Sequence, residues 1–544
     1  MSNNIPSLAD PVISKNTNKS ENTRWIDLIQ GATFILIVAL YAGLMLTDRV
    51  PTLGLVAVAA LWLVYLLLSG RLNFSTPLDL PILVMLGLLP LSLAVSIDRE
   101  LSLPKIYGLV LGIVMFCLIV NNLRNYDRLH LAVLALIILA IGTAALGLIS
   151  INATSEVLSF LPPLQNLLRR IQPGSFAVGN RGVNANTIGG ALTFFVPLLG
   201  SLLWNPGAFN RSALRTKSNR DLLFVAYKVL VFGAFLFVLG VLILTRSRSA
   251  YLGCAVGFMA LLIFKDRRFI WLIPILLANA IFVIYYFGDG DPLAFLYSLD
   301  TSRETTLQDR FALWSSAVGI IQDFPITGAG IFTFSKVLGE VYTAQIFEIQ
   351  PMQYFHAHNL YLAIAFDLGI PGLVLYTALL SSFGVMAYRT INRGRSIIRV
   401  VVVGLVSGMV AHHAFGLIDA NTLGTKLGII LWIFLGLMAA LYTHKRYRGW
   451  RTDSQAGDQP GLAILNLDWK PFKRRLRDLL FGLVLWVIIS LAAVTFITLN
   501  PILSIVLAIA GGILLGILLA GHFMHGSIRG SGETKKDRNS WIKD

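Results

Sequence analysis

The sequence predicts an all-α protein, a polytopic transmembrane helical bundle of about 12–14 spans with a long extracytoplasmic loop containing amphipathic helices. Three observations predict it. Of the 544 residues, 56% are hydrophobic and only 13% charged, and the mean hydropathy is +0.73; soluble domains carry about 25% charge. Apolar runs of the roughly 20 residues that a helical span requires recur along the chain. The basic residues, finally, alternate between loops as the positive-inside rule demands.

Taken in order, residues 1–27 are polar and lack an apolar core followed by a small-residue cleavage site, so a cytoplasmic tail is expected there and no signal peptide. Runs at 28–47, 50–69, 78–97, 103–120, 129–150, 183–204, 222–245, 249–264 and 268–287 make an N-terminal transmembrane bundle, 28–287. Residues 288–358 form a long outward loop, the expected catalytic segment, and a second outward loop covers roughly 151–182. Runs at 370–388, 397–417 and 425–443 complete the bundle within 359–443. A basic cytoplasmic linker, 444–478, suited to anionic lipid, precedes a final helix pair within 479–524 (runs 479–498 and 501–524) and a cytoplasmic tail, 525–544.

With both ends inside, inward segments hold 31 Lys and Arg and outward ones 12, Lys228 lying within a span. Topology thus accounts for the formal charge of +16. The basic residues are dispersed without a platform of stacking aromatics, which argues against nucleic acid and leaves membrane lipids as the surroundings. Cys117 and Cys254 lie inside apolar runs, so they read as small packing residues and offer no disulfide framework or thiolate metal site. The spans contain almost no ionisable residues, which weighs against an ion-coupled transporter but leaves room for one that uses broken helices.

Chemistry is therefore sought in the outward segments. The turn LTRSRSAYLG puts Arg246 and Arg248 at the outer boundary; they either snorkel to headgroups or meet an anionic lipid-linked substrate. In the loop, TSRETTLQDRFALWSSAVGIIQDFPITGAG reads as a helix lying on the outer leaflet, with Phe311, Trp314, Ala317, Val318 and Ile321 on one face and Pro325 and glycines ending it. Arg310 on that helix either pairs with Asp309 or Glu304 or grips a diphosphate with its paired donors. His356 and His358, in FHAHNLYLAIAFDLGIPGLVLY, are either solvated or capping residues or a proton acceptor near working pH. His412, His413 and Asp419 also fall on the outer side, but adjacent histidines point about 100° apart on a helix rather than sharing a face as metal ligands do, which favours a structural role. The D-x-D-like pairs Asp98/Glu100 and Asp289/Asp291 read as solvated carboxylates. No metal and no cofactor is expected.

These pieces, in this order, resemble the O-antigen ligase and polymerase superfamily of bacterial envelope glycan enzymes. The resemblance rests on Thr245-Arg246-Ser247-Arg248, Arg310-Phe311-Ala312-Leu313-Trp314, Pro325-Ile326-Thr327-Gly328-Ala329-Gly330, His358-Asn359-Leu360-Tyr361-Leu362 and Gly369-Ile370-Pro371-Gly372, over about 245–380. The stretch GNRGVNANTIGGAL at 179–192 is similar to the family's Asn-rich approach to a span and adds Arg181, Asn184 and Asn186 as supporting residues. The resemblance implies that Arg248 and Arg310 bind the diphosphate of an undecaprenyl-diphosphate-linked glycan and that His358 deprotonates the acceptor hydroxyl, with Arg246 and His356 in support. It implies a metal-independent glycosyltransferase in the bacterial inner membrane, its site facing the periplasm, acting on a lipid or glycan acceptor. A polymerase of the same superfamily and a bicarbonate-type solute transporter stay as alternatives, and His356 stays as a rival base. The chain departs from the family pattern in its final helix pair.

Overall fold

The structure is a computed structural model. It describes isolated positions between 28 and 64 and residues 76–123, 129–150, 184–204, 220–287, 307–342, 355–393, 396–421, 423–425, 427–453 and 469–528. The expected first two spans for the most part, the loop 151–182 with Arg181, the stretches 288–306 and 343–354, and both tails lie outside the described residues.

Every regular element among the described residues is helical. In chain order these are α1 (Asp79–Val95), α2 (Arg99–Asn122), α3 (Leu129–Ser150), α4 (Ala185–Trp204), α5 (Arg220–Leu244), α6 (Arg248–Lys265), α7 (Leu272–Phe287), α8 (Leu307–Asp323), α9 (Leu360–Arg393), α10 (Ser396–Phe415), α11 (Ile429–Asp453), α12 (Trp469–Thr495) and α13 (Pro501–Ile528), with short helical turns at Arg267–Trp271 and Phe334–Val341. Nine helices among the described residues are long and apolar enough to cross a membrane, and Asp79–Val95 and Ile429–Thr443 are shorter apolar helices. The chain is thus a polytopic helical bundle.

Lipid tails are as apolar as leucine, so helices in a membrane associate by close packing and small residues. That is visible where α6 meets α10: side-chain-free Gly253 and Gly257 sit against Ala411. Helix α4 packs with α5, α6 and α10, and α2 with α11. Phe194 and Phe195 of α4 and Trp432 and Phe434 of α11 are among the largest fully buried side chains. Both cysteines are buried.

Helix α9 begins ten residues before the run read from hydropathy at 370–388, because the polar cap residue Asn359 starts it well above the apolar stretch. At Gly369 the backbone leaves helical space (φ 71°, ψ −178°) and the helix breaks. The P-x-x-G-x-G turn fills the break. Phe366 O accepts the N–H of Ala329 at 2.8 Å, Pro325 O accepts that of Ile370 at 2.8 Å, and Asp367 O accepts the Ser92 hydroxyl at 2.9 Å. Two sequence motifs that looked like separate punctuation are one joint between loop and bundle.

A Cβ at position 369 would meet an unfavourable φ and collide with the carbonyls of Ile326 and Pro325. Gly369→Ala is expected to destabilise the detergent-solubilised protein by about 1–3 kcal/mol from backbone strain alone, read as a lowered Tm. Gly87→Ala in α1, where a Cβ meets nothing within 4 Å, should leave Tm unchanged or raise it slightly. Equal shifts in the two variants would refute the joint.

The loop helix α8 differs from expectation in its buried face. Leu313, Ala317, Ile320 and Ile321 are buried, in one cluster with Phe366 and Ile370 of α9 and Ala493 and Ile497 near the end of α12, whereas Phe311 is exposed. The apolar stripe is rotated by about one residue from the predicted one, since it is shaped by protein helices. The linker 444–478 is helical at both ends, α11 running on to Asp453 and α12 starting at Trp469. The final pair packs on the bundle: Gly512 and Gly516 of α13 lie against Thr377, Ala378 and Ser381 of α9, Ser382 donates to Gly516 O at 3.1 Å, and Trp486 Nε1 donates to Pro371 O at 3.1 Å.

Candidate functional site

The site is built where α9 begins and α10 ends. Asn359 Oδ1 accepts the N–H groups of Tyr361 and Leu362 at 3.0 and 3.1 Å, capping two donors that the first turn leaves orphaned. Its Nδ2 donates to Leu417 O at 3.0 Å, and Leu360 N–H donates to Gly416 O at 2.7 Å. The H-N pair therefore staples the end of the loop to the segment after α10. His358 itself sits in the left-handed region (φ 48°), an unusual place for a bulky residue.

That geometry delivers the His358 ring to Asp419, with Nδ1 and Oδ1 3.0 Å apart and both residues buried. The backbone N–H of His358 donates to His356 Nδ1 at 3.1 Å, and the two rings lie 4.4 Å apart. From α8, Trp314 Nε1 donates to His358 O at 3.4 Å. Arg310 lies one turn before Trp314, on the same side of α8 by its i, i+4 spacing. It is half-buried, and its Nε is buried with no hydrogen-bond partner among the described residues, although guanidinium donors in such places are nearly always satisfied. Lys105 of α2 completes the surround, its Nζ 4.1 Å from the centre of the Phe332 ring, which stacks on Phe355. Beside His356 lies a small recess lined by Phe332, Phe334, Phe355, Phe366 and Asp367.

The second cluster of expected residues adjoins through α4. Asn184 Oδ1 accepts the N–H of Asn186 at 2.7 Å at the start of that helix. Asn421, two residues after Asp419, donates to Thr187 O at 3.1 Å. Gly189 of α4 faces Thr245, Ser247 and Ala250, and thereby the arginine turn, in which Ser247 caps α6 and Arg246 adopts φ 52°. Arg246 and Arg248 are both exposed there.

His412 and His413 are packed inside the bundle and hydrogen-bonded there. His412 Nδ1 lies 3.0 Å from Gly190 O with its ring stacked on Phe194, and His413 Nε2 lies 2.9 Å from the Tyr376 hydroxyl. Asp419, grouped with them from sequence, is instead the partner of His358. Asp98 caps α2 through Leu101 N–H at 3.1 Å; Asp289 and Asp291 lie outside the described residues. Sequence reasoning assigned Lys105 to a span and gave it no role, although it was one of the outward basic residues.

Electrostatics set the protonation of the pair. Burial pushes the Asp419 carboxyl up, but the hydrogen bond and charge of His358 outweigh it and hold the group below its ordinary value. An ionised carboxylate only accepts, so the proton between the pair resides on His358 Nδ1, which leaves Nε2 with the lone pair of a base. Burial, then the neighbouring His358, pushes the His356 imidazole down to about 3.

In the unfolded chain His356 titrates near its ordinary value of 6.5. Between pH 6.5 and about 3 the unfolded state binds a proton that the folded state refuses, so stability falls as pH drops through this window. The Tm of wild type should fall below that of His356→Gln progressively under pH 6.5, relative to their difference at pH 8; parallel curves would contradict the assignment.

A comparison with curated proteins finds no match. The comparison with protein families finds one, described as O-Antigen ligase, at residues 233–377, about a quarter of the chain. The matched stretch contains the arginine turn, Arg310 and Trp314, the glycine turn, His358 and the Gly369 break, and it ends before Asp419. This protein is thus a polytopic membrane protein whose residues 233–377 match the O-Antigen ligase family model.

Proposed function

We propose that the protein transfers a glycan from undecaprenyl diphosphate to a hydroxyl of a lipid or glycan acceptor on the periplasmic face of the inner membrane, without a metal. The observation that carries this reading is the His358–Asp419 pair, 3.0 Å apart, at the end of the loop whose helix α8 bears Arg310. Asp419 fixes the His358 tautomer, so Nε2 takes the proton of the acceptor hydroxyl as its oxygen attacks the anomeric carbon. The bond from that carbon to the diphosphate oxygen breaks, and the leaving polyprenyl diphosphate gains negative charge. Arg248 and Arg310 supply guanidinium donors to that charge, with Arg246, Asn184 and Asn186 in support. His356 is neutral, which supports a role in holding the His358 backbone over one as the base. The donor supplies the driving force.

The transporter alternative would draw on the break in α9, since transporters bind ions at discontinuous helices. Here the carbonyls of Phe366 and Asp367 beside the break accept hydrogen bonds from Ala329 and Ser92, which argues against an ion site there. The test is reconstitution in liposomes with lipid-linked glycan and acceptor. Release of polyprenyl diphosphate together with an extended acceptor is the expected result; solute uptake without any glycan donor would overturn it. A deletion strain separates the two enzyme classes, since long unattached chains mean ligase and single repeats mean polymerase.

A further inference from the structure

We propose that His356, His358 and Asp419 form a binding site for a divalent transition-metal ion, with Zn²⁺ the best fit, and that the ion switches transfer off by taking the place of the proton shared between His358 and Asp419. One ligand atom from each residue lies within 4.8 Å of the other two. Ions of this kind hold imidazole nitrogens and carboxylate oxygens at about 2.0–2.2 Å in tetrahedral sites, which places ligand atoms about 3.3 Å from each other. The His358–Asp419 separation of 3.0 Å needs to open by only a few tenths of an ångström. The third ligand, His356, already lies within 4.8 Å of the other two and closes the remaining gap by a shift of its ring.

A second observation points to a cation. Asp419 Oδ2 is buried and accepts no hydrogen bond among the described residues, although a buried carboxylate oxygen left unpaired is costly. An ion at the cluster gives that carboxylate a partner. The donor set of two imidazoles and one carboxylate selects among ions: nitrogen ligands suit Zn²⁺, Cu²⁺ and Ni²⁺, whereas Mg²⁺ and Ca²⁺ require mostly oxygen. The H-x-H spacing matters because the left-handed turn at His358 folds both rings to one side, 4.4 Å apart.

Binding releases one proton, from His358 Nδ1 to solvent, while the metal–nitrogen bond forms in its place. No oxidant or reductant is needed. With the ion in place His358 is tethered to the metal and is held away from its role in proton transfer. This inhibitory consequence rests on the reading of His358 as the base, but the binding site does not.

The experiment is calorimetric titration of the purified full-length protein in detergent with Zn²⁺ alone, in the absence of donor and acceptor. Wild type is expected to show one saturable site, a heat that varies with buffer ionisation as a proton is released, and no comparable heat with Mg²⁺. His356→Ala and Asp419→Asn should each weaken Zn²⁺ binding by about tenfold or more, and Co²⁺ in wild type should give the visible bands of tetrahedral coordination that both variants lose. Because the chain has eight histidines, a site whose affinity and spectrum survive in both variants lies elsewhere and overturns the proposal, as does a wild type that binds no Zn²⁺. Should Asp419→Asn fail to fold, His356→Ala decides alone. In the liposome assay, Zn²⁺ should abolish transfer and a chelator restore it. Tight binding without inhibition would leave the site standing and remove the switch, whereas inactive metal-free protein that still binds Zn²⁺ would count against the transferase reading only.

Discussion

Replacing His358 by asparagine is expected to lower the turnover of glycan transfer by about 10²–10⁴-fold, the usual span for loss of a general base, in a protein that still folds. Asparagine is the informative choice. His358 occupies left-handed backbone space (φ 48°), which asparagine tolerates and alanine does not, so His358→Ala confounds lost chemistry with local strain. The measurement is polyprenyl diphosphate release in liposomes at saturating donor, beside a thermal melt. Full turnover in His358→Asn would remove the residue from the mechanism.

Arg310→Ala should cost about 10²–10³-fold in kcat/KM, as removal of a single donor to developing charge does in buried sites. Its buried Nε, without a partner among the described residues, and its position one turn from the Trp314 that donates to His358 O support a guanidinium that takes an anion. Arg310→Lys keeps the charge but loses the planar fork, so it should recover only part of the loss. If lysine restores full activity, a point charge suffices and the paired-donor role falls. Because α8 buries Leu313, Ala317, Ile320 and Ile321 and holds its place without Arg310, Tm should scarcely move in either variant.

Much of this was legible in the sequence for identifiable reasons. Spans follow from hydropathy because the bilayer leaves the backbone no choice but to satisfy itself internally, and α3, α4, α5 and α6 fall within a few residues of their runs. Polar caps blur the ends, as Asn359 does for α9. The loop helix was legible as a helix, but its buried face was not, since the face depends on which helices lie opposite. His358 stood out through its place beside an apolar run. Asp419 did not, because a pair separated by 61 residues leaves no local spacing; what joins them is the meeting of the start of α9 with the end of α10. Lys105 was hidden for the opposite reason, inside a stretch apolar enough to be read through it.

Three non-glycine residues among those described take left-handed backbone angles: Arg246, Phe332 and His358. They lie at the arginine turn, the glycine turn and the head of α9, around the candidate site. Evolutionarily, this makes the rim a place where selection for durability and selection for work pull apart. A library screened for heat resistance should collect glycine or asparagine at these positions, relieving strain of about 1–3 kcal/mol each, while the same library screened for transfer should reject them at 246 and 358.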